Sequence, residues 1–418
     1  MLSLPHHQGL LQSGELELGL QGYACTKGRM TAVLGERWEL RIPRMEVSWE
    51  TENPVPETHH KELLKLLKQD LASSKPDMQN HLYEFGKEVA RVARLALIAD
   101  QLNKPKLKKQ AIRILIDALQ PWLRAKNARP LNYDLTWHGI CSVPGMCEPP
   151  STGLNHEDYG NGHYNDHHYH YGYLVYAMAV VGRFEPGFLT HYHKQATALV
   201  HDYANYQRDS DLFPFMRAFD FYDMHSWAAG MKPSQDGKDM ESSSESLNAY
   251  YAMYLMGLAL GDDDMAAHGQ LILSAEAVAV KKYWFMPESS DVYLEPFKAK
   301  KVVGIMFNNK ATHEIWWGGN RPEFIHAIQW LPFTPVTRHI LDPAYISEIM
   351  PTLDRVAADQ STNQKFLPFI YMTMAVVKPQ YALGKIKQQN EYDSGNSQTN
   401  AYHWAVTQAA HTDGQTVN

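Results

Sequence analysis

Leu82, Phe85, Val89, Val92 and Ala96 recur at three- and four-residue steps, and Leu107, Ala111, Leu115, Ala118 and Trp122 repeat the pattern after Asn103-Lys-Pro105. Apolar residues at that spacing line one face of a helix, so the two runs predict a pair of antiparallel amphipathic helices. Tyr169, Tyr173, Tyr176 and Val180 carry the same period and predict a helix opening just after Asp166. Residues 188 to 207, 243 to 260, 264 to 283, 343 to 358, 365 to 377 and 398 to 410 also read as helices. A charged amphipathic helix through Leu63, Leu64 and Leu67 follows the Pro-containing joint at 52 to 57. Residues 288 to 335 hold no steady period and read as short strands and Trp-rich loops. The first 50 residues differ from the rest, because Met30-Thr-Ala-Val-Leu-Gly35 and Trp38-Glu-Leu-Arg-Ile42 alternate polar and apolar side chains as half-buried strands do. So few strands need a partner to pack on. The expectation is a mainly α protein: a β segment at 1–50, a linker at 51–75 and a helical domain at 76–418, with helix pairs joined by loops of unequal length and no fixed-period repeat. The loop from Asn127 to Gly162 is long enough to be read as functional.

Composition narrows the partners. A formal net charge of −7 with no long basic run argues against nucleic acid, and no apolar run reaches membrane-spanning length. The start, Met-Leu-Ser-Leu-Pro-His-His, has neither a charged n-region nor an apolar h-region, so no signal peptide is read there. Three cysteines exclude a disulfide framework; Cys141 and Cys147 are close enough in sequence to bridge if the protein is secreted, leaving Cys25 odd. Ten Trp and 23 Tyr supply rings that can stack on the C–H faces of sugars, although cores use the same residues.

The run Asp158-Tyr-Gly-Asn-Gly-His-Tyr-Asn-Asp-His-His-Tyr-His-Tyr-Gly172 is too polar for a plain core segment. Its glycines and Asn165 fit a loop ending near Asp166, which places that carboxylate at the mouth of an aromatic-lined helix, either as a simple N-cap or, desolvated by Tyr164, Tyr169 and Tyr171, as a proton donor near neutral pH. A second acidic stretch, Asp236-Gly-Lys-Asp-Met-Glu-Ser-Ser-Ser-Glu245, leads into the 243–260 helix. Ser242 to Glu245 is a capping box, and if the helix starts by residue 241, Glu241 and Glu245 sit one turn apart and point the same way. Serines, backbone N–H groups and Lys238 should keep Glu241 ionised. Glycosidic cleavage requires one protonated and one ionised carboxyl on opposite sides of the bond, and Asp166 and Glu241 fit those two environments. Arg217, Asp220, His225 and Trp227 lie between them in sequence as candidate hydroxyl binders and a sugar platform, with Tyr164, His168, His170 and Lys238 beside the carboxylates. Trp316, Trp317, His326 and Gln329 would line further subsites, with one of the adjacent tryptophans expected to be buried.

Asn165-Asp-His-His-Tyr-His-Tyr-Gly172, the 236–245 stretch, Trp227-Ala-Ala-Gly230, Val302-Val-Gly-Ile305 and Ile328-Gln-Trp-Leu-Pro-Phe-Thr-Pro335 together resemble glycoside hydrolase family 81, the endo-β-1,3-glucanases, in order and from about residue 20 to 410. The resemblance implies an (α/α)6 toroid, hydrolysis of β-1,3-glucans such as laminarin, curdlan or callose with inversion at the anomeric carbon, no metal or organic cofactor, and an extracellular or cell-wall location for what should be a monomer. It also implies Asp166 as general acid, Glu241 as general base and Glu245 as the carboxylate that holds the catalytic water. Members usually begin with a large β-sandwich domain, of which residues 1–50 look like the last part only.

Three other readings stand beside it. A polysaccharide lyase on a helical toroid would need basic groups to neutralise a uronate, and the motifs offer chiefly Arg217 and Lys238. A metal site from His163, Asp166, His168 and His170 lacks the usual zinc spacings. A non-catalytic glucan-binding protein would have no use for Asp166, Glu241 and Glu245.

Overall fold

A computed structural model describes residues 1–12, 16–17, 22–35, 37–142, 158–231 and 234–415. The periodic segments form α1 (Glu57–Ser73), α2 (Leu82–Gln101) and α3 (Pro105–Leu123), then α4 (His167–Phe184), α5 (Pro186–His191), α6 (His193–Ala204), α7 (Ser243–Leu260) and α8 (Asp263–Tyr283). After them come α9 (Pro322–Ile328), α10 (Pro335–Ile340), α11 (Pro343–Ala358), α12 (Leu367–Met374), α13 (Pro379–Ile386) and α14 (Gln398–Gln415). Local chemistry sets the ends. Asp262 caps α8 by accepting from the Met265 N–H at 2.8 Å, and Gly261 ends α7 in the left-handed region at φ 70°.

Helix packing closes into a ring whose last joint is the Ser244 hydroxyl, at the start of α7, donating to the Ile328 carbonyl at the end of α9 at 3.0 Å. α2 packs on α4, α4 on α7 and α7 on α10; α9 packs on α12, α12 on α14 and α14 on α2, with α3, α6, α8 and α13 against the outside. This toroid-like ring explains a sequence contrast: α2 and α3 show a polar stripe, whereas α4 is buried from His167 to Gly182. A helix apolar on all sides belongs inside. Glycine permits the closest crossing, since a Cβ on Gly172 would lie 2.9 Å from the Ala249 Cα on α7.

Inside the wall between α2 and α14, Lys87 Nζ meets Asp393 Oδ2 at 2.7 Å, both side chains nearly sealed from solvent. Losing one partner leaves a buried charge uncompensated. Lys87→Met is therefore expected to destabilise the protein by about 3–5 kcal/mol, read as a drop in Tm; an unchanged Tm would contradict it.

Several expectations change. The predicted 188–207 helix is two, broken at Tyr192. The 127–162 loop contains a hairpin, Leu131–Asp134 against Gly139–Ser142, and the 288–335 stretch contains α9 as well as the strands Ile305–Phe307 and Ala311–Thr312. Neither α10 nor α13 is among the predicted helices. Near the N-terminus Thr31–Leu34 pairs with Leu2–Ser3 and with Leu16–Glu17, but Trp38–Ile42 forms only a bridge at Leu40. The segment that holds these strands does pack on the helices: His6 Nδ1 meets the Tyr283 hydroxyl at 2.7 Å and the Met45 N–H donates to Ser274 Oγ at 3.0 Å. α1 also buries Leu63, Leu66, Leu67 and Leu71 against the helical body, chiefly α14. The suggested Cys141–Cys147 pair involves a residue outside the described set.

Candidate active site

Asp166 stands at the N-cap position of α4 with φ 58° and ψ 21°, and its side chain makes no cap bond. The plain N-cap reading is thereby corrected: Asp166 holds the cap position in a left-handed conformation without capping the helix through its side chain. The loop before it is fixed by its own polar groups. Asp158 accepts from the N–H groups of Gly160 and Gly162 at 3.1 Å each, and Asn165 Oδ1 accepts from the Gly230 N–H at 2.7 Å. The Asp166 N–H donates to the Ala228 carbonyl at 2.9 Å. Trp227-Ala-Ala-Gly230 is thus a backbone clamp on the Asp166 loop, and a Cβ on Gly230 would sit 2.0 Å from the His163 carbonyl oxygen.

Beside Asp166 lies a cavity of about 200 Å³ lined by residues that include Trp137, Tyr164, His167, His168, Arg217 and Trp227. The Tyr164 hydroxyl donates to Asp134 Oδ2 at 2.9 Å, and the Arg217 guanidinium lies 4.6 Å from the Tyr164 ring centre. Arg217 is held by the carbonyls of Asp202, Trp137 and His138. His168 is buried with no partner on Nε2, and burial pushes it down to about 3, so it is neutral.

Glu241 precedes α7, whose first residue is Ser243, so Glu241 and Glu245 are not successive turns of one helix as expected. Ser242 caps the helix by accepting from the Glu245 N–H at 3.3 Å, but the Glu245 side chain does not complete a capping box. Instead its Oε1 accepts from the hydroxyls of Tyr173 at 2.7 Å and Tyr83 at 2.9 Å. Burial pushes Glu245 up, while the bond from Tyr173, the charge of Lys87 and the bond from Tyr83 pull the other way. Glu241 Oε1 accepts from the Trp316 N–H at 2.7 Å. Burial still pushes Glu241 up to about 8, with Glu245 and Asp239 adding to the rise. The expectation that this carboxyl stays ionised is overturned for the open cleft: Lys238 is exposed, and it is the Lys238 backbone N–H, not the ammonium, that is engaged, with Asn308 at 2.6 Å.

Tyr169 joins the two halves. Its hydroxyl accepts from the Ser242 N–H at 3.2 Å, and the phenol is held well above its usual range by burial and by the negative fields of Asp166, Glu245 and Glu241. The fields of three carboxyl groups from two distant parts of the chain therefore reach one phenol.

Other predicted residues lie elsewhere. His170 is buried against Asn161, 3.2 Å from Nδ1, and His225 is sealed between Trp227 and Trp284 with Nδ1 on the Ser226 carbonyl. His326 is likewise buried. Asp220 closes its own turn by accepting from the N–H groups of Tyr222 and Asp223. Gln329 faces inward: its Nε2 donates to the carbonyls of Glu241 at 2.8 Å and Gly304 at 3.2 Å, and its Oε1 accepts from the Ser243 N–H and Oγ. These five are corrected from sugar-facing to internal: His170, His225, Asp220 and Gln329 are engaged by neighbouring side chains or backbone groups, and His326 is sealed from solvent. Trp316 and Trp317 are 57% and 49% exposed, so neither is buried as expected.

The sequence reading missed Tyr83, Tyr173 as a partner of Glu245, Trp137, and the sealed pair in which His167 Nδ1 meets Asp202 Oδ2 at 2.5 Å. Only the exposed Trp137 carried a usable signal, as an aromatic beside turn residues. Among the described residues, no group of three or more His, Cys, Asp or Glu side chains is placed to hold a metal ion.

Residues 54–406 match the model of the glycosyl hydrolase family 81 C-terminal domain. A glucan endo-1,3-beta-D-glucosidase of Glycine max is 31% identical over 97% of this chain and 61% of its own length. Glucan endo-1,3-beta-D-glucosidase 2 of Saccharomyces cerevisiae is 28% identical over 96% and 53%. A solved glycoside hydrolase family 81 structure from Clostridium thermocellum superposes with a TM-score of 0.83 at 25% identity, over 97% of this chain and 55% of that one. The chain thus spans less than two thirds of these relatives. With the family model covering most of its length, the chain belongs to glycosyl hydrolase family 81.

Proposed function

We propose that the protein is an inverting endo-β-1,3-glucanase whose substrates are laminarin-, curdlan- and callose-type glucans. The observation that carries this is the Tyr169 hydroxyl, on the helix that Asp166 opens, accepting from the N–H of Ser242, which follows Glu241 and caps the helix carrying Glu245, near a cavity walled by Trp137, Tyr164 and Trp227. Asp166 gives its proton to the leaving glycosidic oxygen. Glu241 takes a proton from the water that attacks the opposite face of the sugar, and Glu245, fixed by Tyr83 and Tyr173, orients that water. Charge neutrality suits the site, since Arg217 is spent on backbone carbonyls and leaves little to bind a uronate. The names of the relatives support the same bond specificity.

No helix among the described residues is long and apolar enough to cross a membrane. We infer a monomer acting on glucan outside the cell or in its wall, with residues 76–418 as the catalytic unit and residues 1–50 as a β segment packed on it. The test is a product profile on laminarin with the anomer read by NMR. Early appearance of the α-anomer with new reducing ends is expected; a β-anomer would overturn inversion, and an unsaturated, ultraviolet-absorbing product would overturn hydrolysis.

A further inference from the structure

Helices α2 and α4 run side by side in the same direction: Tyr83 lies 6.0 Å from Tyr173 between ring centres at the cleft end, and Asp100 lies 3.5 Å from Arg183 at the other. Between those ends are two cavities. The front one, about 10 Å³, is lined by residues that include Glu245, Tyr169, Tyr173 and Ala90. The rear one, about 50 Å³, reaches the half-exposed Trp49, Glu50 and Gln101 on the face opposite the cleft. Arg94, Tyr176 and Thr334 line both.

Polar groups along this axis lack protein partners. Arg94 Nε and Nη1, the Tyr176 hydroxyl, and both side-chain polar atoms of Asn400 are buried without a hydrogen bond, although each of these residues is more than nine-tenths buried. Arg94 has one bond, from Nη2 to the Gly395 carbonyl. Leaving so many buried polar atoms dry costs far more than ordering a few waters. The front cavity has room for about one water and the rear for several.

We propose that Arg94, Tyr176 and Asn400 hold a file of waters that forms a rear supply line to Glu245. Its purpose rests on the hydrolytic reading above. Each hydrolysis consumes one water at the Glu245 side, and a glucan chain lying in the cleft blocks entry from the front. The fixed charge of Arg94 at the neck admits neutral water and opposes hydronium, so the line delivers water without short-circuiting the carboxyl pair. Arg94 and Tyr176 are positioning residues and touch no substrate.

Two measurements test this on the whole chain. A crystal structure that orders internal waters should show density bonded to Arg94 Nε and Nη1, to the Tyr176 hydroxyl and to Asn400; dry cavities would overturn the proposal whether or not the protein cleaves glucan. Ala90→Leu, with Ala90→Val as the milder form should the first not fold, fills the front cavity. It is expected to lower kcat on long laminarin by about ten-fold while sparing β-laminaribiosyl fluoride, which leaves the cleft open to solvent. Equal loss on both substrates, or loss on neither, would overturn the supply line. A wild-type protein inert on laminarin would instead sink the glucanase reading and leave the water density to decide the channel.

Discussion

Glu241→Gln should lose about 10²–10⁴-fold in laminarin hydrolysis and should at the same time melt at a higher temperature than the wild type. The two effects share one cause. Glu241 is held up to about 8 against an ordinary value of 4.5, chiefly because burial penalises its charge. A carboxyl whose folded value is raised binds its proton more tightly in the native state, so its stabilising contribution is complete below about pH 4.5 and is lost as pH rises through 8. Glutamine carries no such penalty. The difference in Tm should therefore grow between pH 4.5 and 8 and then level off, reaching the equivalent of roughly 2–4 kcal/mol once partial exposure of the side chain is allowed for. A Tm difference flat across that window would show that burial does not set this group. In the wild type, kcat/KM should climb with pH toward 8, since the free enzyme must first ionise its base.

Asp166→Asn should lose laminarin hydrolysis by a similar factor, about 10²–10⁴-fold, with the fold unchanged. Asparagine is the informative replacement because it tolerates the left-handed backbone at φ 58°, where alanine would add strain. Fluoride leaves without needing a proton, so the Asn variant should retain most of its rate on β-laminaribiosyl fluoride while Glu241→Gln should not. The opposite pattern would exchange the two roles, making Glu241 the donor, as its elevated value alone would permit. Full activity of Asp166→Asn on laminarin would remove it from the chemistry altogether.

The helices were legible where one face meets solvent. α2 and α3 carry their pattern openly, and the largely buried α4 and α7 were found from their tyrosine spacing and caps. The hairpin at 131–142 was not, because Leu135 and Trp137 are exposed at its turn and its strands span only four residues each. α13 is eight residues long, too short to establish a period. In the site, the three carboxylates and Tyr164 were visible because they lie in compact polar motifs. Tyr83 was not, since it reaches Glu245 across 162 residues of chain. The charge of Glu241 was misjudged for the same reason: burial by packing distant in sequence sets it and outweighs the opposing bond from the Trp316 N–H, 75 residues on. His225 shows why aromatic-rich runs mislead, as a histidine sealed among rings and one lining a cleft have the same neighbours in sequence.

The Gln329 side chain has consequences for anyone engineering this scaffold. One amide, with two donors and one oxygen, fastens the backbone of residue 241, the start of α7 and the strand turn at Gly304. Glutamate at that position would have no N–H to give, and leucine of similar bulk would strip three chain segments of their common anchor. The acidic stretch at 236–245 is therefore not a portable cassette. A graft onto another helical ring would have to carry the 326–331 turn with it, and libraries that randomise either piece alone should return few folded, active clones.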